Sequence, residues 1–364
     1  MSNPRIAILQ DALVVRGGSE RYALWLAEAF PDAPIFTSVF LPENTHPGFK
    51  LKDVHTLPGA AWFKSEAQFK RFFPFWVYQF QNLNLNNFDL VISSSTYLAK
   101  YFRPGSNTHH ISIIHAPFRL LWSPDSYSDQ SLPVARPLVW LARMAARNLR
   151  GWDLKETSRI EKIYANSINM AAELKRVYGR EAEVIYPPVD IGRHPLTIGG
   201  DYYVTLSRLV SYKRIDLAVE ACSHLGRKLK VIGDGPESAR LQGLAGGNIE
   251  FLGALPEDEV IQILSRARAL IFPGEEDFGI APLEAMACGV PVIAFGKGGA
   301  LETVKEGIAG VFFKRQTVAD LESAIMTFEG KTFDPQNIRN SVLQFDKERF
   351  FEKIRSAVEH VLTS

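Results

Sequence analysis

Residues 268–295 read RALIFPGEEDFGIAPLEAMACGVPVIAF, and their pattern decides the fold. An apolar run over 268–272 predicts a buried strand, a helical run over 282–288 follows, and a second apolar run covers 291–295. Strand, helix and strand in such quick succession indicate a parallel α/β architecture. Within the stretch, Glu276 and Glu284 stand eight positions apart with Gly279 between them. That spacing predicts the first carboxylate in a loop at a helix N-terminus and the second on the helix's opening turn. The loop's backbone N–H groups are then free to bind hydroxyls or phosphate oxygens.

The same alternation extends in both directions. Strands are predicted at 202–206, 228–232 and 249–251, with helices at 214–224, 237–245 and 257–266. Nearer the start, strands are predicted at 5–9, 34–39, 89–93, 110–114 and 162–166, and a helix at 19–30 follows the first. Between the two series lies Tyr186-Pro187-Pro188-Val189-Asp190, followed by Pro195 and Gly199-Gly200. Its prolines force extended backbone, which suits an interdomain linker. A chain of 364 residues has room for two domains, each with its own core. The expected organisation is therefore 1–188 and 189–344, with an amphipathic helix over 347–362 closing the chain. Two Rossmann-like halves imply a ligand cleft between them.

Composition excludes several classes. Residues 1–188 carry 21 Lys+Arg against 16 Asp+Glu, net +5, and the remainder carries 20 against 24, net −4. This mild asymmetry suits an N-terminal half that meets something anionic, and is too small to indicate nucleic acid. The two cysteines, Cys222 and Cys288, sit in apolar helical contexts, so neither a disulfide framework nor a metal cluster is expected. The apolar start Ile6–Leu9 reads as a first strand rather than a signal peptide, and a cytoplasmic setting is expected. No run reaches the roughly 18 apolar residues of a spanning helix. Aromatic and basic residues interleave over 62–80 and again over 136–150. These segments suit the boundary of an anionic membrane, although a core-facing helix with a solvated basic face is the favoured reading.

Several loops carry residues suited to chemistry. Gly17-Gly18-Ser19 opens the first helix, where glycine allows close backbone approach and Ser19 can serve as a cap. Ser207-Arg208 through Lys213 follows the first strand of the second series, and Arg208 and Lys213 can clamp a diphosphate. Gly233-Asp234-Gly235 resembles half a dinucleotide fingerprint, but Ser238 stands where the third glycine belongs, which argues against a nicotinamide cofactor. His115 and Arg119 flank a proline-stiffened loop at a strand's carboxyl end, the side that faces ligands in open α/β sheets. Asp11 has a similar location. Gly296-Lys297-Gly298-Gly299 forms a further strand-to-helix turn.

In order along the chain, Gly17-Gly18, His115-Ala-Pro-Phe-Arg119, Asn166-Ser167, Arg208 with Lys213, Gly233-Asp-Gly-Pro-Glu237, Phe251-Leu-Gly253 and Glu276…Glu284-Ala-Met-Ala-Cys-Gly-Val-Pro291 resemble the retaining glycosyltransferases of family 4. The likeness covers nearly the whole chain. It implies the GT-B fold, an α/β architecture of two Rossmann-like domains facing across a cleft, with the C-terminal helix (345–364) crossing back to the first.

The resemblance implies that His115, Glu276, Arg208 and Lys213 act on the reacting centre. It implies donor contacts from Gly17, Gly18, Arg119, Ser207, Gly233, Leu255, Glu257, Phe278, Gly279, Ile280 and Glu284. Glu284 would take the ribose hydroxyls, and Glu276 the sugar hydroxyls. No metal or other cofactor is implied; the partners are a nucleotide sugar and a glycan or lipid-linked glycan acceptor. His-x-Pro-x-Arg followed by Trp122 looks most like bacterial mannosyltransferases of polysaccharide and O-antigen assembly, which use GDP-mannose. Glu257 could accept from guanine N1–H and N2–H, which uracil cannot match. The pattern departs from the family at Ser207, where glycine is commoner. UDP-sugar transfer, epimerisation, phosphorolysis and non-catalytic nucleotide-sugar binding remain alternatives.

Overall fold

The computed structural model describes residues 4–122, 148–197 and 199–363. The chain divides into two compact units, Met1–Tyr186 with Phe350–Ser364, and Pro187–Arg349. The expected linker 186–190 thus belongs almost wholly to the second unit. The cause is local: Val189 N–H donates to Phe345 O at 2.9 Å, and Lys347 Nζ meets Asp190 at 2.7 Å. These bonds tie 189–190 and 345–347 together, so the terminal helix joins the first unit only from Phe350.

The first unit is built on seven parallel strands: β1 Ile6–Gln10, β2 Ile35–Thr37, β3 Val54–Thr56, β4 Leu90–Ser95, β5 His109–Ile114, β6 Lys162–Ala165 and β7 Glu183–Val184. Their order is β3-β2-β1-β4-β5-β6-β7. The helices are α1 Gly18–Ala29, α2 Glu66–Arg71, α3 Phe73–Gln81, α4 Arg119–Trp122, α5 over 148–157, and α6 Ile168–Tyr178. β1 and β4 are buried along their whole length, as strands covered on both faces must be.

The second unit repeats the plan with β8 Tyr203–Leu206, β9 Leu229–Ile232, β10 Ile249–Gly253, β11 Ala269–Phe272, β12 Val292–Phe295 and β13 Gly310–Phe313, ordered β10-β9-β8-β11-β12-β13. Its helices are α7 Ile215–Leu225, α8 Ser238–Leu244, α9 Glu257–Ser265, α10 Ile280–Ala287, α11 Ala300–Thr303, α12 Val318–Glu329 and α13 Pro335–Ser341. The last helix, α14 Lys347–Thr363, places Phe350, Ile354, Val358 and Val361 in the core of the first unit. Each sheet reverses its winding once, between β1 and β4 and between β8 and β11. Such switch points open a crevice at the carboxyl ends of the strands.

Two local expectations need correction. Helix α10 starts at Ile280, two residues early, because Pro282 falls in the first turn, where a missing N–H breaks no intrahelical bond. Glu284 therefore lies in the second turn. Helix α1 starts at Gly18 with Gly17 as its uncapped N-cap residue, so Ser19 is not a cap; its hydroxyl donates instead to Glu20 at 3.0 Å.

The aromatic segment 62–80 divides between core and surface. Phe63, Phe69, Trp76 and Phe80 are buried, whereas Trp62, Phe72 and Tyr78 are exposed. Residues 136–147 lie outside the described part. Among the described residues, no helix is long and apolar enough to cross a membrane.

Candidate active site

In the second unit, the site residues gather at the β8/β11 switch point. β8 runs into Ser207-Arg208, and a 3-10 turn, Ser211–Lys213, carries the chain to α7. The turn ends at Arg214 with φ 53°, the sole positive φ of a non-glycine residue among those described. A left-handed residue with a Cβ costs about 1 kcal/mol or more and needs external support. Arg214 receives it from Asp216, whose carboxylate it pairs at 3.2 Å. This turn aims Lys213 across at β11's loop, where its ammonium forms an ion pair with Glu276.

Both members of that pair are largely shielded from solvent, at 15% and 19% side-chain exposure. Their attraction is accordingly less screened than that of a surface pair. Arg208 differs: it is exposed and makes no ion pair or side-chain hydrogen bond among the described residues. A fixed pair beside an uncommitted guanidinium is a cationic site with capacity for an anion.

Glycines explain how these loops come so near one another. A Cβ on Gly233 would lie 1.8 Å from Ser207 O, and one on Gly235 would lie 2.4 Å from Leu209 O. The Gly-x-Gly therefore seats the Ser207–Leu209 backbone, with Leu209 N–H donating to Asp234 O at 2.9 Å. Close approach here is supplied by Gly233 and Gly235, not by position 207.

Likewise a Cβ on Gly299 would lie 2.2 Å from Phe278 Cα, and one on Gly298 would lie 2.4 Å from Glu276 O. Gly299 N–H donates to Glu276 O at 2.8 Å. The turn 296–299 is thus the floor on which the Glu276–Phe278 loop rests. Gly279, φ 87°, is the N-cap residue of α10, with Phe278 buried and Ile280 half-buried beside it. Glu284 is buried one turn on.

Two expected donor contacts follow β10, whose Gly253 O accepts from Gly233 N–H at 2.8 Å. Leu255 is half-buried between β10 and α9. Glu257, the first residue of α9, is exposed and pairs with Arg193 at 3.1 Å.

In the first unit, His115 follows β5 and Gly17-Gly18 follows β1. Ser94, at the end of β4, connects them: its hydroxyl is 2.9 Å from His115 Nε2 and 3.5 Å from Ser19 O. Burial pushes His115 down to about 4, so its imidazole is neutral at pH 7. Tyr22 packs edge-on against its ring at 5.0 Å. A Cβ on Gly17 would lie 2.4 Å from the Glu20 carboxylate, so a side chain there would displace that carboxylate.

Asp11 is a structural brace rather than a ligand-facing acid. It accepts from Ser95 Oγ and from the N–H groups of Thr96, Tyr97, Leu98 and Ala99, at 2.7–3.0 Å. The backbone of Arg119 begins α4; its side chain lies outside the described part. Sequence reading passed over Ser94, though three consecutive serines ending an apolar strand were a usable signal.

Among the described residues, no group of three His, Cys, Asp or Glu side chains is placed to hold a metal ion.

The architecture and the clustered loops define a GT-B α/β protein. Residues 16–193 match the family model described as Glycosyltransferase Family 4, and residues 193–341 the model described as Glycosyl transferases group 1. Between them the two models span 16–341, and both describe glycosyltransferases.

An uncharacterized glycosyltransferase of Methanocaldococcus jannaschii is 28% identical over 212 residues, covering 56% of this chain and 60% of that protein. A GDP-mannose-dependent alpha-(1-6)-phosphatidylinositol monomannoside mannosyltransferase of Mycolicibacterium smegmatis is 33% identical over 140 residues, covering 34% and 37%. The chain thus spans less than two thirds of the length of these curated relatives. The solved sucrose-phosphate synthase from Thermosynechococcus elongatus superposes with a TM-score of 0.78 at 18% identity, over 99% of each chain, a likeness of fold.

Proposed function

We propose that this protein is a retaining glycosyltransferase that moves a hexose from a nucleotide sugar to a glycan or lipid-linked glycan acceptor, with an alpha-linked product. The observation that carries this reading is the arrangement at the β8/β11 switch point: exposed Arg208 beside the Lys213–Glu276 pair, next to the start of α10. A departing nucleoside diphosphate concentrates charge on its phosphates, and the ammonium of Lys213 with the free guanidinium of Arg208 stabilises that charge as it develops. No metal is needed for this neutralisation in the proposal.

Glu276 holds sugar hydroxyls together with the N–H groups of Phe278, Gly279 and Ile280, and Glu284 takes the ribose. From the other unit, Gly17, Gly18, His115 and Arg119 serve the donor, and neutral His115 can donate or accept one hydrogen bond without competing charge. Transfer proceeds on one face of the sugar: the acceptor oxygen bonds to the anomeric carbon as the bond to the diphosphate breaks. The acceptor's proton passes to the leaving phosphate oxygen.

For the donor we favour GDP-mannose, on the His115-x-Pro-x-Arg119 pattern with Trp122 and on the mannosyltransferase relative. UDP-sugars are the second reading, favoured by one observation: Glu257, the candidate guanine acceptor, already pairs with Arg193. Exposed Trp62, Phe72 and Tyr78 beside Lys64 and Arg71 support peripheral contact with an anionic membrane, with the protein at the cytoplasmic face.

A thermal-shift panel tests the donor assignment. GDP-mannose, UDP-glucose, UDP-N-acetylglucosamine and the free diphosphates are each expected to stabilise by RT ln(1 + [L]/Kd), with GDP-mannose foremost. Stabilisation by none of them would overturn the proposal; stabilisation by UDP-sugars alone would replace the donor.

A further inference from the structure

The first unit contains a buried charge cluster that the site above does not use. Lys100 and Asp153 are both fully buried, with Lys100 Nζ 3.0 Å from Asp153 Oδ1. Tyr101 OH donates to the same oxygen at 2.7 Å. On Oδ2, Trp122 Nε1 donates at 2.6 Å and Tyr178 OH at 3.0 Å. Lys100 also donates to Tyr178 OH at 2.6 Å, and its ammonium lies 5.0 Å and 4.9 Å from the centroids of the Tyr101 and Tyr178 rings. Four donors from the 3-10 turn Ala99–Tyr101, α4 and α6 thus converge on one carboxylate of α5.

Burial by itself would lower Lys100 and raise Asp153. The contacts outweigh it: Lys100 lies above its ordinary value and Asp153 below, so both stay charged. A buried ion pair is a poor source of stability compared with an apolar core of the same shape, because desolvation offsets most of the attraction. What such a cluster does supply is fixed geometry, since each partner is accepted at one direction and distance.

The cluster also holds α4. Its described residues, Arg119–Trp122, make one turn. That turn is fixed by what Leu121 and Trp122 touch. Trp122 donates to Asp153, its ring meets Tyr178 edge-on at 6.1 Å, and the Arg150 guanidinium lies 5.4 Å from its centroid. Arg150 Nε also donates to Leu121 O at 2.7 Å. At the other end of the same segment, His115 N–H donates to Ser95 O at 2.9 Å, and Phe118 stacks on Phe73 at 4.7 Å. The segment is a strap, pinned to the sheet at His115 and to the buried carboxylate at Trp122.

We infer that Asp153 is a positioning residue for the His115–Trp122 segment, acting through the indole N–H of Trp122. Neither residue touches the donor; they set where the segment that faces the sugar lies. This rests on the proposed reading in which His115 and Arg119 contact the donor sugar.

The test uses the full-length protein and three variants: Trp122→Phe, which keeps an aromatic ring and removes one N–H; Asp153→Asn; and His115→Ala. Calorimetry measures Kd for GDP-mannose and free GDP, with UDP-glucose and UDP in parallel, and steady-state assays measure kcat and donor KM. For Trp122→Phe we expect a Tm close to that of the unaltered protein and an unchanged Kd for the free diphosphate. We also expect the affinity gap between nucleotide sugar and diphosphate to shrink about tenfold, with kcat/KM falling tenfold to a hundredfold, as small misplacements near a reacting centre do. Asp153→Asn is expected to do the same with a lowered Tm.

Trp122→Phe with an unaltered gap and unaltered kcat/KM would overturn the inference. So would a parallel loss of Tm and of diphosphate affinity, which marks a general packing role. His115→Ala separates the two claims. If it abolishes the gap while Trp122→Phe does not, only the strap fails; if it leaves gap and turnover intact, the reading of His115 fails.

Discussion

The two units share a strand order and a crossover pattern, yet they use the ends of their strands in opposite ways. In the first, two carboxylates are saturated by the protein itself: Asp11, beyond β1, accepts five hydrogen bonds, and Asp153, on α5, is closed by four donors. In the second, the corresponding crevice displays an exposed guanidinium and a largely shielded ion pair, with their loops held in place by glycines. Interior saturation gives rigidity, whereas charge left near solvent gives capacity for a ligand. One sheet plan thus supports a stiff wall in one unit and an anion cradle in the other.

The most severe way to break this contrast is to remove the cations of the cradle. Arg208→Ala and Lys213→Ala are each expected to lower kcat by about 10²–10³-fold, as loss of one fixed charge-stabilising donor does. Transfer assays with a radiolabelled donor would show it, and turnover within threefold of the unaltered protein would remove these residues from the mechanism.

Next in size is the glycine seating. Gly233→Ala places a methyl group 1.8 Å from a backbone carbonyl at φ 130°, so urea unfolding should show a loss of about 2 kcal/mol or more. A loss below about 0.5 kcal/mol would mean that the loop relaxes freely.

The rigid unit carries the pH dependence. Burial pushes His110 down to about 3 and His115 to about 4, below the 6.5 of an exposed histidine. The unfolded chain therefore takes up protons first. Stability from these two groups is complete above about pH 6.5 and falls as pH drops toward 4, by about 1.4 kcal/mol per unit for each histidine. Melting curves between pH 7 and 4.5 should show the slope, and His110→Asn should reduce it by roughly half. An unchanged slope would show that carboxylates set it.

The smallest effect concerns the rim of the second unit. Glu257→Gln breaks an exposed pair with Arg193 and should change stability by about 1 kcal/mol or less. Its Kd for GDP relative to UDP is the sharper reading: loss of preference supports a guanine contact, and constancy of GDP affinity removes it.

Much of the fold was legible beforehand because the signals were local. Buried parallel strands write continuous apolar runs, so β1, β4, β5, β8, β9, β11 and β12 were located to within two residues. Short edge strands such as β3 and β7, three and two residues long, carry too little pattern to announce themselves. Helix α10 was placed two residues late, starting at Pro282, although the proline falls at the third residue of its first turn.

The site divides the same way. Arg208, Lys213, Glu276 and Glu284 could be named from residue type and position in strand-to-helix loops. Their pairing could not: Lys213 and Glu276 are 63 positions apart in sequence, and only the β8–β11 neighbour relation brings them into contact. By itself, the chain's sequence determined two parallel α/β units, the linker region and the loops that carry chemistry, since apolar period, proline and glycine act through neighbouring residues. Tertiary structure alone decided which charges are paired, which are saturated and which remain open. Those outcomes depend on desolvation and on donors from distant strands, and neither is written in any local stretch.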